Sequence, residues 1–512
     1  METSKLNCLE KNITLISSMT KSEKRNFRLK SFGSETTGAY ILLFDMIVNN
    51  STGSKEEIKQ KFVKKTHKNI DSASTYLYYL LLEFLVGENS KKSIKSSIFN
   101  QVEKSIILFE RKLFDEGFYE LEKALKKAEL FEDEMLQLFI WRTKLRFHEK
   151  LDFVRLPEKE LVAIQRRQLE LIKRHRVIDQ HKFLYDILRL RILHEGYITS
   201  EQMKNKFNDL IISELNLVSN FSLNSFEVNK QHLLFQSTYY LESGNFISAV
   251  RNFNTLIDLF ENNKHLLLEP PIYYFNALVG ILNTLIGIKM FNEIEHFLEK
   301  VRLLDSTNYS IDFLLQVRWI EFSTRMIVLL NRADFKKIDE LNSEFEEKLL
   351  SKSHLFHPNM LIHLYILKST CFLYQGKTKE ARKILSNTIT KYKVFREQPL
   401  FRQVRLIYLL LRAETEDISY TIQEIKSFKQ RFKNEHASLI ELLVLDFAKE
   451  FPLPALKKQR EEILKRYRVR IDAALKDKYS QKLLSYFDFT LYIESCITGQ
   501  TVERLISLRE ND

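Results

Sequence analysis

A chain of 512 residues carrying 79 Lys and Arg against 67 Asp and Glu has a net charge of +12 and a pI near 9.2. Hydrophobic residues make up 44% and aromatic residues 12%, ample for a core, while only 11 Gly and 7 Pro are present, well below the usual levels of about 7% and 5%. Such scarcity argues against β-rich folds with many tight turns and against a glycine-rich phosphate loop, and three scattered cysteines (Cys8, Cys371, Cys496) make neither a disulfide framework nor a metal spacing.

Residues 1 to about 95 read as a separate helical unit. The N-terminus lacks the charged-then-apolar order of a signal peptide, so a cytoplasmic location is expected. Asn49 to Ser54 form a turn cluster, Ser54 with Glu57 makes a capping box, and a helix follows toward Val63. A second helix begins after Asp71, runs through Tyr76 to Leu82 and closes at Gly87. Its apolar run, Tyr76 to Val86, contains Glu83 and falls short of the roughly 18 residues of a membrane span. Residues 1 to 100 hold 16 Lys and Arg against 10 Asp and Glu. With Lys59, Lys61, Lys64, Lys65 and Lys68 in it, the stretch from Ser54 to Val86 invites a helix-turn-helix reading and nucleic acid as a partner. The second helix, however, reads as apolar nearly all round and so as buried core rather than a recognition helix. A bias toward Lys, Ile, Asn and Phe accounts for the charge without a ligand.

Helix pairs are expected next, with turns near Gly117, Arg155 to Pro157 and Gly196, and the Asn- and Ser-rich stretch 216–229 reads as an internal break or one longer loop. Beyond it the pattern is cleanest. Turns at Gly244, Lys289, Ala333 and Gly376 are spaced by 45, 44 and 43 residues. Ser237, Tyr240, Gly244, Ala249 and Phe253 are matched at identical offsets by Ser369, Phe372, Gly376, Ala381 and Leu385. Ser and the aromatic share a helix face, Gly takes the left-handed conformation that ends a helix, and Ala leaves room where the returning helix crosses the first. An aromatic two residues after the turn recurs as Tyr119, Phe246, Phe291 and Phe335. Pro271, Pro358 and Pro399 mark helix starts. A turn near Glu414 to Asp417 and Pro452-Leu453-Pro454 punctuate the last pairs, and the residues from Tyr479 onward read as a terminal cap.

These offsets resemble the tetratricopeptide-repeat superfamily over roughly residues 100 to 435, with a period about ten residues longer than the standard unit of about 34. The resemblance implies an all-α fold, a right-handed α-solenoid of antiparallel helix pairs with a period of about 40–45, preceded by the N-terminal helical unit. The expected divisions are 1–95, a first group of helix-pair repeats at 96–215, a loop or linker at 216–229, and a second group with its cap at 230–512. Met19-Thr20-Lys21-Ser22-Glu23-Lys24-Arg25 followed by Tyr40 to Asp45 also resembles the start of an uncharacterised bacterial family of long helical-repeat proteins, which brings no activity with it.

No nucleotide loop, His-Glu-x-x-His or nucleophile elbow occurs. His354, His357 and His363 come nearest to metal-ligand spacing, but Pro358 interrupts them and no carboxylate joins. Pairs such as His148-Glu149 and His194-Glu195 point to different sides of a helix. The expectation is therefore a non-catalytic protein without cofactor or metal. In tetratricopeptide-like arrays the concave face of first helices receives peptides. On the matched register its polar positions here are Gln231, Thr238, Asn276, Asn283, Ser323, His363 and Thr370, alternating with Leu234, Val279, Ile327 and Ile366. A protein or peptide partner is expected there, and the Lys and Asn set with which some family members clamp a terminal carboxylate is missing.

Overall fold

The computed structural model describes residues 7–31, 38–49, 55–67, 69–90, 93–154, 156–195, 198–220, 225–267, 270–306, 309–395, 398–415, 418–432 and 437–509. Helices account for nearly all the regular structure, and no strand occurs among the described residues. The chain divides into two compact units, residues 1–172 with 307–314, and residues 173–306 with 315–512.

In the first unit, α1 (Cys8–Ser18), α2 (Lys21–Ser31), α3 (Ala39–Asn49), α4 (Lys55–Thr66) and α5 (Ile70–Ser90) enclose one core built on Phe27, Phe44, Phe62, Leu77 and Leu81. Asn12 is buried within it and donates to the Ser74 carbonyl at 2.8 Å. A second core, with Phe109, Leu121, Leu125, Ile140 and Phe147, lies between α6 (Ile94–Glu110), α7 (Phe114–Leu130) and α8 (Glu134–Lys150). The division of the two units falls inside α9 (Glu158–Glu195). Two expectations need correction here. Gly87 lies inside α5 rather than closing it. Nor is α5 buried all round: Ser72, Thr75, Tyr76 and Tyr79 are exposed, because only the Ser74, Leu77, Leu81 and Phe84 side packs inward. The capping residue Ser54 and Lys68 lie outside the described residues, as do Arg155 and Gly196.

The second unit continues with α10 (Glu201–Asn205), α11 (Asn208–Asn220), α12 (Phe226–Glu242), α13 (Phe246–Asn262), α14 (Ile272–Gly287), α15 (Ile294–Arg302), α16 (Ile311–Asn331), of which residues from 315 belong here, α17 (Phe335–Phe345), α18 (Pro358–Tyr374), α19 (Thr378–Lys391), α20 (Pro399–Ala413), α21 (Ile418–Phe432), α22 (Leu439–Phe447), α23 (Lys457–Lys476), α24 (Lys478–Leu484), α25 (Phe489–Thr498) and α26 (Val502–Arg509). Helices adjacent in sequence pack on one another, α12 on α13, α13 on α14, α18 on α19 and α19 on α20. Pro358 and Pro399 open α18 and α20 at the first helical turn, and Pro271 caps α14. Of the expected loop 216–229, residues 216–220 end α11 and 226–229 begin α12. Ser225 caps α12 by accepting from the Val228 amide, which is why a polar stretch ends in helix.

One turn recurs in both units. At Gly244 and Gly376 φ is 74°, and at Lys112, Glu132, Asp152, Lys289 and Ala333 it lies between 47° and 64°. Each makes the same two hydrogen bonds. The residue after the turn donates to the carbonyl five positions back, as Asn245 does to Tyr240 at 2.9 Å and Leu113 to Leu108 at 2.9 Å. The turn residue donates three back, as Gly376 does to Leu373 at 3.0 Å. This paired pattern satisfies two carbonyls that the helix end would otherwise strand.

The first of these turns corrects the register read from sequence. It sits at Lys112, with Phe114 two residues on, so Gly117 is inside α7 and Tyr119 is exposed. Gly117 therefore occupies the place of Ala249 and Ala381, five residues past the turn. Ala249 and Ala381 are fully buried, and a Cβ at Gly117 would come within 2.9 Å of the Phe109 ring. Small residues mark the helix crossing in each case; Ile294 and Ile338, also buried, fill the same place in α15 and α17.

Candidate functional site

The seven polar positions of the first helices meet different fates in the second unit. Gln231, Ser323 and Thr370 are buried. Gln231 donates to Glu227 Oε1 at 2.9 Å, Ser323 to the Ile320 carbonyl at 3.4 Å and Thr370 to the Ile366 carbonyl at 2.8 Å, so each is satisfied by its own helix. They line no open surface, because neighbouring helices cover the faces they occupy. Thr238 on α12 and Asn276 on α14 are half-buried, and Asn283 on α14 is exposed. With Ile272 and Val279, the two asparagines form an accessible stripe along α14 at helical spacing. Leu234, Ile327 and Ile366 are core.

His363 is enclosed by aromatic rings. Trp319 meets it edge-on with centroids 5.3 Å apart, and Tyr486 does so from the C-terminal segment at 4.9 Å. Burial lowers its pKa to about 4, which holds the imidazole neutral at physiological pH. His357 caps α18 from its ring nitrogen, and His354 lies in the short 3₁₀ segment before it, so the sequence trio assembles no common site.

Tyr486 belongs to a continuous stretch that touches several helices of the second unit in turn. Tyr479 donates its hydroxyl to Glu201 on α10 at 2.5 Å, and this hydrogen bond leads the effects that hold the Glu201 carboxyl at about 2. Lys478 packs against Gly244, where a Cβ would sit 3.1 Å from the Lys478 carbonyl. Lys482 pairs with Glu242 at the end of α12, and both side chains are largely buried. Lys289, just past α14, reaches Asp488 at 3.3 Å, and Phe487 packs on Tyr374 of α18. From α20, Gln403 Nε2 donates 3.1 Å to the Leu483 carbonyl. Tyr492 and Cys496 converge on Glu414 at 2.6 and 3.1 Å, and burial raises both of their pKa values. The residues from Tyr479 onward are therefore more than an end cap, since they reach helices from α10 to α22.

A second constellation escaped the sequence. His181 of α9, Glu214 of α11 and His232 of α12 bring one ligand atom each within 4.8 Å of one another. His181 and Glu214 are fully buried and His232 mostly so. Glu214 Oε1 contacts His232 Nδ1, and Gln236 Nε2 donates 2.6 Å to Glu214 Oε2. Neither ring nitrogen of His181 has a hydrogen-bond partner. No short spacing announces this cluster, because its members are 33 and 18 residues apart on three helices. Its one sequence trace is a histidine among Val177, Ile178 and Leu184 on a buried helical face.

No family model matches the sequence, and no curated protein or solved structure matches it either. No helix among the described residues is long and apolar enough to cross a membrane.

Proposed function

We propose that the chain is a non-catalytic cytoplasmic scaffold of the tetratricopeptide-like kind, a right-handed solenoid of antiparallel helix pairs, whose first helices bind a protein or peptide partner. The observation that carries this reading is the way those helices receive the chain's own residues 478–492. They do so through ion pairs at Glu242 and Lys289, aromatic contacts at His363 and Tyr374, and the bond from Gln403 to a backbone carbonyl. A side-chain amide reading a main-chain oxygen is the kind of contact by which such surfaces hold polypeptide irrespective of its side chains. The accessible asparagines of α14 offer the same chemistry where the chain's own segment makes no such bond.

The test is affinity purification from the native host with the wild-type chain and with Asn276→Ala plus Asn283→Ala, partners being identified by mass spectrometry. The double variant is expected to melt as the wild type does, within about 0.5 kcal/mol, since one of its positions is exposed and the other half-buried. It is also expected to lose the partner. Full retention of the partner moves the site off α14, and loss of folding makes the asparagines structural.

A second reading draws on the first unit alone. α4 exposes Lys59, Lys61, Lys64 and Lys65, and α5 exposes Ser72, Thr75, Tyr76 and Tyr79, which is the polar face that nucleic-acid contact requires. Duplex DNA is expected to bind the chain only at the nonspecific level, with Kd of about 10⁻⁴–10⁻⁶ M at physiological salt. Tight sequence-selective binding that Lys64→Glu with Lys65→Glu abolishes, measured by fluorescence anisotropy across a salt series, would put this reading first.

A further inference from the structure

We propose that His181, Glu214 and His232 bind a divalent transition metal of the zinc type, which fastens α9, α11 and α12 to one another. Two imidazoles and a carboxylate from three separate helices, already gathered within 4.8 Å, form the donor set used by zinc sites with three protein ligands and a fourth position left for water. Two nitrogen ligands with one oxygen select against calcium and magnesium, which take six or more oxygens.

The cluster is hard to explain as packing. Burying a polar group without a partner is unfavourable, yet His181 is fully buried with both nitrogens unpartnered beside the buried carboxylate of Glu214. A metal among the three would accept a lone pair from His181 and from His232 and offset the charge of Glu214. The remaining oxygen of Glu214 is already oriented by Gln236, the outer-shell arrangement that fixes a ligating carboxylate. Partial exposure of His232 gives the ion its way in. Bound there, the ion joins helices on either side of the α11 to α12 connection, the stretch whose composition reads as a break.

The test uses the full metal-free chain. Titration with Zn²⁺ against a chromophoric chelator is expected to show one tight equivalent, Co²⁺ in its place to give the visible absorption of a four-coordinate ion, and saturating Zn²⁺ to raise the melting temperature. His181→Leu removes a ligand but puts an apolar side chain where the imidazole has no hydrogen bond. It is therefore expected to fold, to lose the tight equivalent and the cobalt spectrum, and to melt at the same temperature with and without Zn²⁺. Gln236→Ala is expected to weaken binding about 10–100-fold. If the wild type and His181→Leu take up Zn²⁺ equally, or the wild type takes up none and is indifferent to chelator, the site is a buried His–Glu pair and the proposal falls.

Discussion

Lys482→Ala is expected to destabilise the second unit by about 3–5 kcal/mol, the range for removing one partner of a buried ion pair. Lys482 and Glu242 are largely shielded from solvent. Burial lowers the Lys482 pKa while Glu242 opposes that shift. Truncating the lysine leaves the Glu242 carboxylate in a low-dielectric site with no cation against it. The control is Lys482→Met with Glu242→Leu, which removes both charges and keeps the volume; it is expected to be near neutral, since apolar replacements of buried pairs commonly are. Urea unfolding of the three chains decides the matter. A cost below about 1 kcal/mol for Lys482→Ala would mean that the pair behaves as a surface contact and that the segment from 478 is loosely held.

Phe109→Ala is expected to cost about 3–5 kcal/mol, as large aromatic-to-alanine changes in cores do. Its ring stacks on Phe147 of α8 with centroids 3.6 Å apart, meets Phe118 of α7 edge-on at 4.8 Å, and abuts the Cα of Gly117. One side chain thus couples α6, α7 and α8. Hydrogen exchange should show the loss of protection concentrated in those three helices, because α1–α5 have a separate core. Loss spread evenly through α1–α5 would contradict that separation.

How much of this was legible in the sequence depended on how local the physics is. Helical content followed from composition, and the turns at Gly244 and Gly376 from the residue best suited to positive φ. Lys112 and Glu132 adopt the same conformation with a Cβ, so glycine does not mark those turns, and the nearby Gly117 is a crossing residue inside α7. Among the groove positions, helical spacing identified the accessible Asn276 and Asn283, but Gln231, Ser323 and Thr370 share that spacing and are buried by neighbours whose placement spacing does not encode. The contacts of residues 478–492 and the His181 cluster pair elements far apart in the chain. No window along the sequence contains both halves of either.

The return of the C-terminal segment also has a timing. Tyr479 meets Glu201 across 278 residues and Lys482 meets Glu242 across 240. At a synthesis rate of about 5–20 residues per second, α10 and α12 leave the ribosome on the order of tens of seconds before the residues that cover them. A repeat array normally completes each contact as the next repeat emerges. This unit cannot, so Glu242 faces water throughout that interval, and His363 and Tyr374 face it for roughly half as long before Tyr486 and Phe487 follow, which is when a chaperone would find them.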